Sequence, residues 1–192
     1  MTVTNQKKEG SRDMSKEKIA DKLYIVLRIS YILAFVLLFI PALNPARISE
    51  LIPQTASVFT CGTSYSALTE NFARAFNKGW VGTLTLQMVF AGCLCIILGF
   101  AVAGAGGCMS LGTTKLKKFG MIPSMIGAVL AFAGCMMVNW AATDIKGTPK
   151  PDRIVPMEPK NLSFYIGLCV VILVLSIVIL LCLPKVEKNE KC

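Results

Sequence analysis

Eight cysteines, fifteen glycines and no histidine are the residue types in this 192-residue chain that invite a chemical reading. Thiol redox chemistry needs cysteines in pairs, and metal binding needs ligands at short fixed spacings. The chain has no C-x-x-C. Cys93 and Cys95 are two residues apart, which on a helix sends them to nearly opposite faces. Cys61 is the lone cysteine of a predicted outer loop, so no pair there can build a disulfide framework. Cys93, Cys95, Cys135 and Cys169 read as small apolar packing residues. Cys182 falls near a predicted inner surface, where an acyl group is the one modification its position suggests. Cys192 ends the chain outside any prenylation box. No metal or cofactor site is expected.

The glycines raise a second chemical question in "GGCMSLGTTKLKKFG", residues 106–120. A phosphate-cradling loop requires G-x-x-x-x-G-K-[ST] after a strand. Gly107 and Gly112 have that spacing, but Thr113 stands where the lysine must reach the terminal phosphates. The dinucleotide pattern fails as well, because Met109 takes the third glycine position after Gly104 and Gly106. The segment before the stretch is a membrane span, and this removes the soluble strand–turn–helix context that either motif needs.

The elements that carry these residues follow from hydropathy. The chain is 54% hydrophobic with a mean hydropathy of +0.62, too apolar for an ordinary soluble domain. Four runs of at least about 18 nearly uncharged residues occur. They are 23–43, 80–104, 119–141 and 163–183, each long enough to cross a bilayer as a helix at about 1.5 Å per residue. Barrel strands are shorter and alternate. The fold class expected is therefore all-α: a polytopic membrane protein of four transmembrane helices. A charged tail at 1–22 precedes the bundle, and a short tail at 184–192 follows it. The tail before span one is long for a signal-peptide n-region and no A-x-A site follows that span, so cleavage is not expected. The tail itself, mixing Lys7, Lys8, Arg12 and Lys16 with Glu9, Asp13 and Glu17, reads as a solvated, weakly helical segment.

Orientation follows from lysine and arginine placement. The tails together with Lys115, Lys117 and Lys118 hold twelve basic residues, against seven in the other two loops. Both termini are expected to be cytoplasmic in a cell membrane. Trp80 and Trp140 then fall at one outer interface, where amphipathic rings prefer to sit. Arg28 lies about two turns into span one and reaches back to the inner headgroups. The net charge of +9 serves orientation and attraction to lipid. No basic face interleaved with aromatics suggests nucleic acid.

Small residues recur every four positions in the middle spans. Gly99, Ala103 and Gly107 form one stripe. Gly120, Ser124 and Ala128 form a second, and Gly127, Ala131 and Cys135 a third. Such seams let helices approach closely in lipid, so spans two and three are expected to pack as a hairpin, with Gly99, Ala103 and Gly107 facing span three. Asp, Glu and Lys are missing from the middles of the spans, where ion-driven transporters keep them. Gln87 and Asn139 are the most polar span residues, suited to an interhelical or partner hydrogen bond. Pro123 lies in the first turn of span three, where its missing N–H costs little.

The first outer loop is too long to be structureless. Within it Tyr65, Leu68, Phe72 and Phe76 share a helical face, with Ser66 as N-cap and Gly79 as stop. This predicts a short surface helix on the membrane or against a partner. The last outer loop, with Pro149, Pro151, Pro156 and Pro159, is expected to be extended. Asn161-Leu162-Ser163 matches a glycan acceptor but abuts span four.

The layout resembles tetraspan membrane proteins in its inner termini and larger first outer loop. It lacks both the W…G-L-W…C…C loop signature of the tight-junction group and the CCG motif of tetraspanins, so no family is assigned. The expected function is a non-catalytic accessory or scaffolding subunit of a larger transporter-type membrane complex. Its partners would be the lipid bilayer and other membrane subunits, or further copies of itself, with Lys115, Lys117, Lys118, Tyr65, Phe72 and Phe76 as contact residues. The alternative is a small self-assembling channel or transporter. An enzyme is disfavoured by the missing histidine, cysteine pair and paired carboxylates.

Overall fold

The computed structural model describes residues 3–43, 56–77, 82–112, 114–143 and 159–183. Helix α1 (Val3–Phe39) is followed by strand β1 (Pro41–Leu43), strand β2 (Ala56–Ser57) and helices α2 (Val58–Thr63) and α3 (Tyr65–Asn77). Helices α4 (Thr83–Met109), α5 (Thr114–Thr143) and α6 (Pro159–Cys182) follow among the described residues. Among the described residues, four segments are long and apolar enough to cross a membrane: Lys18–Phe39, Thr83–Met109, Leu116–Ala141 and Asn161–Cys182. The molecule is a helical bundle of multi-pass membrane type, with one two-stranded antiparallel pair.

Helix α1 is one continuous rod of 37 residues, so the charged stretch and the first span share a single axis. Ala20, Tyr24, Leu27, Ser30, Ala34 and Leu38 are its buried stripe, at steps of three and four that keep one helical face inward. It ends at Phe39, four residues short of the expected Leu43. Pro41 has no N–H to continue the ladder and disfavours helical geometry at the residue before it. The chain turns there into β1, which pairs with β2.

The α2 turn follows, its N-terminus capped by Ser57, whose Oγ accepts from the Thr60 N–H at 3.1 Å. It does not stay at the rim of the bundle. A methyl placed on Gly62 would lie 2.9 Å from the Cys93 carbonyl carbon, and Cys93 is about 15 Å along α4 from Thr83. Helix α2 thus packs against the side of α4, well away from that helix's end.

Helix α3 starts at Tyr65 with Ser64 as its cap, since Ser64 Oγ accepts from the Ala67 N–H at 3.2 Å. Ser66, the expected cap, is instead inside the first turn, with its hydroxyl 3.4 Å from Glu70. Pro159 opens α6, where the sequence suggested extended chain. Proline is well suited to a first helical position because its missing N–H has no partner there. Asn161-Leu162-Ser163 consequently lies in the first turns of that helix. Trp80, Gly79 and the loop prolines before Pro159 fall outside the described residues.

Candidate functional site

The centre of the bundle is built on α4 and α5, which run antiparallel with only residues 110–113 between them. Gly92, Gly99 and Gly106 recur every seven residues on α4, and Gly120, Gly127 and Gly134 do so on α5. The two sets meet in pairs. A methyl on Gly99 would lie 2.6 Å from the Gly127 carbonyl oxygen, one on Gly92 would lie 2.9 Å from that of Gly134, and one on Gly120 would lie 2.5 Å from that of Gly106. Backbone is in contact with backbone along the whole seam, which is what close packing without a hydrophobic drive needs.

Of the residues singled out in the sequence, Gly99, Ala103, Gly127 and Ala131 lie on this seam: Gly127 faces the Ala103 backbone, and Gly99 faces that of Ala131. Gly107 does not. It lies under the ring of Tyr31 on α1, because four residues advance a helix by about 400°, and each step rotates the stripe about 40° off its starting face. The α5 stripes turn the same way. Gly120 faces α4, whereas Ala128 lines a small apolar cavity beside Cys169 of α6.

Tyr31 is the point where all four spans meet. Its ring covers Gly107 of α4, and its hydroxyl lies 2.5 Å from Ser124 Oγ of α5. Ser124 Oγ is 2.7 Å from Ser176 Oγ of α6, and Ser176 donates to the Ile172 carbonyl at 2.7 Å. Each hydroxyl has one proton. Since Ser176 gives its proton to Ile172, the chain runs from Tyr31 through Ser124 to Ser176. Buried hydroxyls in a membrane interior are costly unless bonded, and here they bond to one another. Towards the other end Tyr165 of α6 donates to the Leu37 carbonyl at 2.5 Å, and its ring stacks on Phe100 at 6.3 Å. Sequence reasoning missed Tyr31, Ser176 and Tyr165. The signal available was a hydroxyl in the interior of the first and last spans.

The lysines expected in a loop are on the first turns of α5. Positive charge at a helix N-terminus opposes the helix dipole, so these lysines serve something other than the helix they start. Lys117 Nζ is 3.3 Å from Asp21 of α1 and 5.5 Å from the centre of the Tyr24 ring, which ties the two helices at the bundle end. Lys118 is half-buried, and the side chains of Lys115, Phe72 and Phe76 are outside the described set. Tyr65 meets Phe90 of α4 edge-on at 5.5 Å and so docks α3 on the bundle. Gln87 and Asn139 face outward. They lie at one level of the antiparallel pair, five residues from Gly92 and Gly134 respectively.

The cysteines are free thiols among the described residues. Cys61, Cys93, Cys135 and Cys169 are buried, and burial pushes the Cys61 thiol up to about 12. A neutral, water-excluded thiol is a poor nucleophile. No group of three or more His, Cys, Asp or Glu residues able to hold a metal occurs among the described residues.

Comparison with protein-family models, with characterised proteins and with solved structures finds no match to this chain.

Proposed function

We propose that this protein is a non-catalytic accessory or scaffolding subunit of a larger membrane complex, seated in the cell membrane with both termini cytoplasmic. The observation that carries the reading is the continuous α1 rod. Its apolar half is fixed in a bundle whose interior is occupied by glycine contacts and a closed hydroxyl chain. Its charged half, Val3–Glu17, extends the same axis by about 22 Å beyond the span. A rigid charged arm on a packed anchor is suited to holding a partner at the membrane surface. The outward amides of Gln87 and Asn139 add hydrogen-bonding groups on the lipid side, where a neighbouring span is their natural partner. In this orientation α3 lies at the outer surface, and the first turns of α5, which carry the three lysines, lie at the inner one.

The test is purification in mild detergent with mass spectrometry of co-eluting membrane proteins. The variant to compare replaces Lys115, Lys117 and Lys118 with Gln and adds lysines to the N-terminal tail to preserve orientation. Asp21→Asn, which breaks the same ion pair without removing the lysines, is the control. A stoichiometric partner lost in the triple variant and kept in the control supports the proposal. Wild-type protein that runs alone as a homo-oligomer and conducts solute in liposomes overturns it in favour of a small channel or transporter. That second reading is favoured by one observation, the short α2 helix packed against the side of α4, since broken backbone within a bundle is a feature of transport pathways.

A further inference from the structure

Beside the hydroxyl chain, the surfaces of α1 and α4 part to leave an open groove of about 450 Å³. Ile32 and Phe35 of α1 form one wall, and Gly104 and Leu111 of α4 form the other. Its floor is Gly107 under the Tyr31 ring. Gly104 keeps the groove open: a methyl placed there would meet no atom within 4 Å. One charged side chain lines the groove, that of Arg28. It is six residues, or about 9 Å, further into the span than Lys22. The nearby carboxylate of Asp21 is engaged by Lys117, and no carboxylate of the described residues pairs with Arg28.

We infer that this groove is a binding site for one anionic glycerophospholipid. Arg28 takes the phosphate, and an acyl chain lies along Ile32, Gly104 and Phe35. An unpaired guanidinium below the headgroup level needs an anion drawn in to meet it, and its planar fork suits a phosphate. From Arg28 to Phe35 the groove extends about 10 Å along the helix, and its polar group lies at the end nearest the lysines. A free phosphate would satisfy the charge but leave the apolar length bare, whereas a phospholipid fills both. The site is independent of whether the protein is an accessory subunit.

The experiment is native mass spectrometry of the full chain in mild detergent, titrated with phosphatidylglycerol, phosphatidylcholine or inorganic phosphate. One phosphatidylglycerol should be retained in preference to phosphatidylcholine. Arg28→Gln should weaken its binding about fivefold, the equivalent of one basic residue at an anionic surface. Gly104→Phe should remove the one-lipid adduct by occupying the groove. Ile32→Trp, which crowds it from the opposite wall at an exposed position, should do the same if the Gly104 variant does not assemble. Equal retention of the two lipids, an adduct unchanged in Arg28→Gln, or inorganic phosphate displacing the lipid at equal concentration would overturn the assignment. So would a dimer whose formation, in place of lipid binding, is abolished by the groove variants.

Discussion

Alanine at Gly99 and alanine at Gly104 are the same chemical change five residues apart on one helix, yet the structure separates them sharply. At Gly99 the new methyl would lie 2.6 Å from the Gly127 carbonyl oxygen and 2.8 Å from the Ala131 Cα. Ordinary contact begins near 3.5 Å, so the helices must part locally by nearly 1 Å, which forfeits about a quarter to a half of each contact on either side. Both opposing atoms are backbone, and no rotamer can relieve the clash. Overpacking of this kind costs about 1–3 kcal/mol. Against it, alanine is about 0.5–1 kcal/mol better than glycine within a helix. The net expectation for Gly99→Ala is a loss of up to about 2.5 kcal/mol. At Gly104 only the helix term remains, so Gly104→Ala should gain about 0.5–1 kcal/mol. Unfolding by SDS titration from mild-detergent micelles, followed by circular dichroism, reads both. Variants that unfold at the same SDS fraction, or a Gly99 variant more stable than the wild type, would refute the seam.

Further outcomes follow from the same geometry. Tyr31→Phe should lose about 0.6 kcal/mol, the usual worth of a hydrogen bond between membrane helices. Ser124→Ala should lose more, because Ser124 bonds on both sides; a double-mutant cycle giving no coupling between them would show that the hydroxyl chain is not a unit. Cys61 should resist an impermeant maleimide at neutral pH and react only after unfolding, its native reactivity climbing with pH towards 12. The sign is that of a group whose folded pKa is raised: burial of the neutral thiol stabilises the fold below pH 9, and that stability is lost as pH rises from 9.0 to about 12. Fast labelling of folded protein at pH 7 would contradict the buried position. Lys117→Gln should change stability by less than about 1 kcal/mol, since the Asp21 carboxylate is largely exposed; a larger loss in the same SDS titration would give the cation–ring contact with Tyr24 more weight than the ion pair.

The spans were legible because twenty apolar residues in a row have no other stable use in a membrane protein. Their ends were less so. Hydropathy cannot see that Pro41 stops α1, or that four residues suffice to turn α4 into α5. The seam was half legible. A four-residue stripe found Gly99 and Gly127, but the pairing period is seven, because seven residues return to the same face within about 20°. Counting by sevens from Gly99 would have found Gly92 and Gly106, and would have excluded Gly107. Tyr31 and Ser176 were invisible to a search for charged groups, since a hydroxyl hardly lowers the hydropathy of its span. The packing of α2 on α4 rests on Gly62 fitting against the α4 backbone, and a single small residue in a loop carries no sign of such a contact.

The separations along the chain impose an order on how the bundle comes together. Helices α4 and α5 close over residues 110–113, so the entropy of bringing them together is small, and their glycine pairs form as soon as both have entered the bilayer. Tyr31 has been made long before either, but its hydroxyl has no acceptor until Ser124 arrives 93 residues later. Ser124 in turn waits for Ser176, a further 52 residues on. Until α6 is synthesised, α1 is held by its own apolar length and by what α4 and α5 offer it, Gly107 under the Tyr31 ring and Lys117 beside Asp21. The last span therefore acts as a latch, and a chain interrupted before α6 leaves a finished hairpin beside a first helix that lacks the bond Tyr165 makes to the Leu37 carbonyl.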